Sequence, residues 1–368
     1  MTRLAIAHDW LIQPRGAERL LREFCLACSP ITIYTLFARP QRIDPAILRH
    51  PLVRSPLDRL PGLDRYYRYL LPLYRWGIER LQVRDVELLL SISHAVAKGV
   101  PCADGIPHLC YCLTPMRFVW FPQFYGPALE GSRWRRRLLR LLAGGLRRWD
   151  VESAKRVDHF VAISRTVQER IAKVYGRPSE VVHPCVDLDE LPEGTGPREP
   201  FYLVVSALVP HKRLDLAVEA FNRSGRTLVV VGEGPQRTEL RGRARSNIHF
   251  AGWLPDPEVR RLYTRAKALV FPGVEDFGLT PLEAQACGCP VIALGQGGVT
   301  ETVDDGETGV FFRSPDPDDL NRAVERLEGL IFDPRKLRAA ASRFSREEFR
   351  NRWRSIFERC GHPVAFPG

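Results

Sequence analysis

The sequence predicts an α/β protein built from two doubly wound parallel sheets, and three observations carry that prediction. Short apolar runs alternate with helical patterns along the chain, the signature of βαβ units. The length, 368 residues, is more than one core usually holds and suits two domains of about 150–200 residues each. Between two alternating runs lies DLDELPEGTGPREP at 187–200, rich in Pro, Gly and acid and poor in apolar residues.

In chain order, 4–8 reads as a first buried strand and 15–19 leads into a helix through Cys25. Strand patterns follow at 31–37, at 86–91 before Ser-Ile-Ser-His94, and at 108–112 and 160–164. A helix then runs to about Tyr175, and 180–184 closes the first alternation. The second begins with FYLVVS at 201–206, a helix at 214–222 and TLVVV at 227–231. Further strands are expected at 247–251, 268–271 and 290–294, with helices at 256–266 and 280–287. The tail 345–359 is amphipathic, with Phe349, Trp353, Ile356 and Phe357 on one face, and Ser345 and Glu348 have capping-box spacing. The expected domains are 1–188 and 201–340, joined by a linker at 189–200 and followed by a tail at 341–368.

Hydrophobic residues make up 45% of the chain and charged residues 26%, which excludes disordered, collagen-like and disulfide-stapled classes. No apolar run reaches the roughly 18 residues that span a bilayer. The apolar start is broken by His8 and Asp9 and lacks a signal-cleavage pattern, so a cytoplasmic protein is expected. The nine cysteines form no framework, and Cys25 and Cys28 follow a helical apolar pattern that suits core packing.

The net charge of +11 is one-sided. Residues 1–190 hold 29 Lys and Arg against 19 Asp and Glu. Residues 132–149, SRWRRRLLRLLAGGLRRW, carry seven Arg and no acid, and 65–80 mixes cations with Tyr and Trp. Such stretches suit an anionic membrane surface. A core-facing helix with a solvated basic face is the plainer alternative. No nucleic-acid-binding module is recognisable.

The most informative stretch is FPGVEDFGLTPLEAQACGCPVIALGQGG at 271–298. A strand, a loop and a helix start with Pro281 make an anion site, and Gly278 lets a phosphate approach the backbone. Glu275 in the loop and Glu283 on the helix can each accept hydrogen bonds from hydroxyls. Two solvated glutamates on a surface loop are the alternative. Lys212 and Arg213, after the strand at 201–206, would lie at the same sheet edge, where cations neutralise a diphosphate. The Gly232–Gly234 turn and Gly297-Gly298 are further backbone-exposing loops, each also explicable as plain turn chemistry.

These motifs, together with HDWL…RGAER, SISHAVAKGV, CYCLTPMRF, RWDVESAKRVDHFVAISR, VVHPCVDLDEL and NIHFAGWLPD, resemble retaining glycosyltransferases of the GT-B fold, family 4. The resemblance covers nearly the whole chain. It is most like the mannosyltransferase-like proteins of bacterial O-antigen and exopolysaccharide synthesis. It implies two Rossmann-like domains facing across a cleft, with the terminal helix crossing back onto the first. It assigns Glu275 to the donor sugar, Glu283 to the ribose and Lys212 to the diphosphate, with Phe277, Gly278 and Leu279 presenting backbone N–H groups. Gly232, Gly234 and the loop Gly252, Trp253 and Leu254 would border the base, and Gly16 would face the diphosphate. It implies no cofactor and no metal, a nucleotide-sugar donor (GDP-mannose first, or a UDP-hexose) and a glycan or lipid-linked acceptor. The enzyme would work in the cytoplasm, on the inner face of the membrane. Asp187-x-Asp189 and Asp316-x-Asp318 are then loop acids.

The chain departs from the family pattern at Leu113, where His is common, and at Ala207, where Arg is usual. It departs again at Ala17, Phe121 and Ile163. Arg213 would partly replace the charge missing at Ala207. His94 is the remaining candidate polar group of the first domain, with a buried histidine bonded to backbone as the alternative. A weakened or silent nucleotide-sugar binder is the second reading of the whole chain.

Overall fold

The computed structural model describes residues 2–12, 16–63, 67–121, 133–194 and 196–364, with backbone alone for 68–69 and 133–142. Most of the basic stretch at 132–149, and part of that at 65–80, lies outside the described side chains. The chain divides into two compact units, Met1–His183 with Phe349–Gly368, and Pro184–Glu348.

The first unit is a sheet of seven parallel strands. These are β1 (Leu4–His8), β2 (Thr32–Thr35), β3 (Leu52–Arg54), β4 (Leu88–Ser93), β5 (His108–Cys112), β6 (His159–Ala162) and β7 (Glu180–Val181). Their spatial order is β3-β2-β1-β4-β5-β6-β7. Strands β1, β4 and β5 are buried at every position, as parallel strands covered on both faces must be. The second unit has six parallel strands, β8 (Glu199–Val205), β9 (Thr227–Val231), β10 (Ile248–Gly252), β11 (Ala266–Phe271), β12 (Val291–Leu294) and β13 (Gly309–Phe312). They lie in the order β10-β9-β8-β11-β12-β13.

The two orders are the same doubly wound pattern. The chain builds outward to one side of its first strand and then returns to the other side. The reversal falls between β1 and β4 in one unit and between β8 and β11 in the other. At such a switch point the loops leaving the two strands part, and a crevice opens at their carboxyl ends.

Strand β3 has no sequence signal, because it is a three-residue edge strand with two exposed positions. Strand β13 is short and begins on a glycine. The acidic segment expected to be a linker is a strap packed on the second unit. Arg338 binds the carbonyls of Leu188 and Leu191, and Arg198 binds those of Tyr263 and Gly194. Arg346 holds Asp187, and Asp316 caps the helix Pro317–Glu328 by accepting from the N–H groups of Asp318 and Asp319.

The tail helix Arg346–Arg359 packs in the first unit. Buried Trp353 meets Phe24 edge-to-face at 4.9 Å and Tyr111 at 5.1 Å. The Ser345 hydroxyl caps it through the N–H of Glu348. The basic helix Arg133–Ala154 is anchored at its C-terminal end by buried Asp150. That carboxylate pairs with Lys98 and accepts from Trp120 Nε1 at 2.7 Å and Tyr175 OH at 2.9 Å. All nine cysteines are free, and six are buried, Cys25 and Cys28 among them.

Candidate functional site

In the second unit the switch point carries an ion pair. Lys212 ends the 3₁₀ turn Pro210–Lys212 beyond β8, and Glu275 stands in the loop beyond β11. Lys212 Nζ lies 2.6 Å from Glu275 Oε1, with the side chains 24% and 14% exposed. A small pocket beside them is lined by Ser206, Phe271 and Gly273.

Glycine holds this geometry. A Cβ on Gly298 would fall 2.3 Å from the Asp276 carbonyl and 2.3 Å from Phe277 Cα. The loop at 297–298 therefore lies directly on the backbone of the Glu275 loop, and Gly298 N–H donates to the Glu275 carbonyl at 2.9 Å. The tight approach fixes where the Glu275 side chain starts.

Gly278, with φ of 103°, precedes the helix Leu279–Ala286 and offers no side-chain cap. The first N–H groups of that helix therefore point out of its end, where the dipole favours an anion. Phe277 is buried and edge-to-face with Phe344 at 5.8 Å, which anchors the loop. Leu279 opens the helix and Glu283 lies one turn on, half-buried. Tyr263 OH donates to Glu283 Oε2 at 3.3 Å. Burial first, and the Glu283 charge second, push the Tyr263 phenol well above its usual range, so it remains a donor.

Gly232 follows β9 and Gly252 ends the neighbouring β10, and Gly232 N–H donates to the Gly252 carbonyl at 2.7 Å. Gly234 packs on the Leu208 backbone, in the segment that leads to Lys212. Trp253 follows, 72% exposed, with Leu254 half-buried after it. Arg213 takes a left-handed φ of 53°, and its guanidinium turns to Asp215 at 3.2 Å. That pairing occupies the cation that sequence reading set against the charge missing at Ala207.

The first unit places another pair at its own switch point. Asp9 follows β1 and His94 follows β4. Fully buried Asp9 accepts four backbone N–H groups. Those of His94 and Ala95 reach Oδ2 at 2.7 and 3.0 Å, and those of Val96 and Ala97 reach Oδ1 at 2.6 and 2.7 Å. His94 Nδ1 lies 2.9 Å from Asp9 Oδ2, with a quarter of the histidine side chain exposed. Trp10 supports the ring edge-to-face at 4.6 Å.

Burial alone would raise the Asp9 pKa, but the charge and hydrogen bonds of His94 hold it well below the carboxylate range. Burial alone would lower that of His94, and Asp9 raises it instead. Neighbouring His8, buried, is pushed down to about 4, chiefly by desolvation. The partner of His94 is thus a carboxylate, not the backbone. Leu113, buried beyond β5, donates its N–H to the Ser93 carbonyl at 2.8 Å. Gly16 is the exposed first residue of the helix Gly16–Cys28.

The structure thus gathers Lys212, Glu275, Gly278, Leu279 and Glu283 at one sheet edge, with Gly298 against the Glu275 loop and Gly232 and Gly234 against Ser206 and Leu208. His94 and Gly16 belong to the other unit. Sequence reading missed Asp9, Tyr263 and the locking role of Gly298. An acid directly after the short first strand LAIAH was the available signal for Asp9. A cation, a carboxylate and an open helix end can together bind a ligand that carries both an anion and hydroxyls.

Residues 15–190 match the family model described as Glycosyltransferase Family 4, and residues 189–347 match Glycosyl transferases group 1. The GDP-mannose-dependent alpha-(1-6)-phosphatidylinositol monomannoside mannosyltransferase of Mycolicibacterium smegmatis is 32% identical over 216 residues, 50% of this chain and 55% of that protein. Glycogen synthase of Mycobacterium tuberculosis is 31% identical over 211 residues, 51% of this chain and 50% of that protein. The chain thus spans about half the length of the curated relatives it matches. Among solved structures, Anabaena HepE in complex with UDP aligns over 97% of this chain and 100% of its own, with a TM-score of 0.68 at 16% identity. Sucrose-phosphate synthase from Thermosynechococcus elongatus aligns over 98% and 99%, with a TM-score of 0.69 at 17% identity. The fold they share is GT-B.

Proposed function

The chain belongs to the glycosyltransferases of family 4, group 1, and we propose on that premise that it moves a hexosyl group from a nucleotide diphosphate sugar to a hydroxyl, with retained anomeric configuration. The observation that carries the reading is the Lys212–Glu275 pair beside the Gly278-led helix, at the switch point of the second unit. Lys212 and the helix end would take up charge as the bond to the leaving diphosphate breaks. Glu275 would accept hydrogen bonds from the donor sugar, and Glu283, oriented by Tyr263, from the ribose. Gly232, Gly234, Gly252, Trp253 and Leu254 would border the base, and Phe277, Gly278 and Leu279 would face the diphosphate and sugar. The proposed reaction needs no metal.

Mannose is the sugar proposed first, because the M. smegmatis relative is a GDP-mannose-dependent mannosyltransferase. HepE was crystallised with UDP and UDP-glucose, which keeps a UDP-hexose in the proposal. The acceptor would be a glycan or lipid-linked hydroxyl in cell-surface polysaccharide synthesis. Leu73 and Trp76, exposed on the helix Leu71–Glu79 among arginines, would help the first unit meet an anionic membrane at its inner face. The described residues include no helix long and apolar enough to cross one. Buried, apolar Leu113 favours the second reading, a weakened or silent nucleotide-sugar binder. Incubation with GDP-mannose or UDP-glucose and a lipid-linked acceptor, read by proton NMR of the new anomeric centre, tests both readings. A product with the donor's configuration supports the proposal. An inverted product refutes retention, and donor binding without transfer supports the silent reading.

A further inference from the structure

We infer that Glu275 makes the site discriminate between a nucleotide diphosphate sugar and the bare nucleoside diphosphate, by competing with the diphosphate for Lys212. This deepens the donor-site reading above and rests on it.

The two residues that serve different parts of a donor are bound to each other in this structure, 2.6 Å apart and mostly shielded from water. Their meeting is built in. A Cβ on Gly273 would lie 2.9 Å from Lys212 Cα, so the loop that carries Glu275 is seated on the Lys212 turn itself. On its other side the Glu275 backbone is pinned by Gly298. With both backbones held, ligand entry can change only where the side chains point.

A diphosphate that reaches Lys212 meets a carboxylate already paired with that ammonium. It must displace Glu275 or share the cation with it, and both put like charges close together. A bare nucleoside diphosphate offers Glu275 nothing in return. A nucleotide sugar offers hydroxyl donors, which satisfy the displaced carboxylate. Selectivity then arises from an unfavourable contact with the wrong ligand as much as from a favourable one with the right ligand. The same competition would help expel the spent nucleotide after transfer.

Calorimetric titration of UDP, UDP-glucose, GDP and GDP-mannose into wild type, Glu275→Gln, Lys212→Gln and the double variant tests this. For the nucleotide that binds wild type, Glu275→Gln is expected to bind the bare diphosphate about three- to tenfold more tightly and the sugar form more weakly. On the Lys212→Gln background the gain should vanish. Equal or weaker binding of the diphosphate by Glu275→Gln, at an unchanged melting temperature, overturns the inference. If that variant melts early, Glu275→Asp serves instead. It withdraws the carboxylate by one methylene and should shift both affinities in the same directions by less, and a parallel loss of both ligands overturns the inference too. Absence of any nucleotide binding to wild type refutes the donor-site reading itself, a result distinct from either.

Discussion

Each unit spans its switch point with one acid and one base, but the two pairs are built in opposite ways. In the second unit the base, Lys212, follows the first strand and the acid, Glu275, follows the crossing strand. Both are partly exposed, and Lys212 Nζ meets Glu275 Oε1 at 2.6 Å. In the first unit the acid, Asp9, follows the first strand and the base, His94, follows the crossing strand. There the acid is fully buried and also accepts four backbone N–H groups. The first pair can part for a ligand that satisfies both partners. The second holds its loop in place and can offer only the outer edge of the histidine. The contrast sets the pair proposed to bind the donor against a pair that holds a loop in place, at the same point of one topology.

Substitutions at the two pairs should therefore fail differently. The largest effect is expected at Lys212→Ala, where loss of the cation proposed to face the leaving group should cut kcat about 10²–10³-fold with the fold intact. A steady-state assay beside a thermal melt checks it, and a large stability loss would erase the contrast. Asp9→Ala should do the reverse and cost about 3–5 kcal/mol of stability, because a buried acceptor of several donors is removed. Urea unfolding measures it.

Gly298→Ala should cost about 1–3 kcal/mol, since its Cβ has no room against the Glu275 loop. Donor affinity should fall with it. Tyr263→Phe should be milder. The loss of one hydrogen bond to Glu283 should weaken donor binding about fivefold. A 2′-deoxyribonucleotide donor, which lacks a hydroxyl for Glu283, should show a smaller drop.

The finest test is pH. The depressed Asp9 pKa contributes stability above its unfolded value, near 3.8, and that contribution is lost as pH falls through the folded value. The raised His94 pKa contributes fully below 6.5, and its share is lost as pH rises through the folded value. The pair should stabilise the first unit most between 3.8 and 6.5, and Asp9→Asn should flatten that window in melts across pH.

The second unit was far more legible in the sequence than the first. Four of its candidate residues, Glu275, Gly278, Leu279 and Glu283, fall in one contiguous stretch with local spacing across a single strand–loop–helix, and Lys212 and the glycine turns join them from outside it. Local spacing is what a sequence displays. Asp9 and His94 lie 85 residues apart, and only the sheet order β1-β4 makes them neighbours. Tyr263 escaped notice because it reads as one more apolar position on an amphipathic helix until its hydroxyl meets Glu283. Strand β3 escaped because an exposed edge strand carries no alternation. The packing of the linker segment was not legible because it comes from distant Arg338, which binds the carbonyls of Leu188 and Leu191.

Calorimetric binding of GDP-mannose and UDP-hexoses to wild type and to Glu283→Ala tests the central claim most directly, that the second unit's switch point holds a nucleotide diphosphate sugar. The account predicts that one of these donors binds wild type and binds Glu283→Ala about tenfold or more weakly, with the melting temperature unchanged. Equal affinity of the two proteins for that donor, or no binding to either, would contradict it.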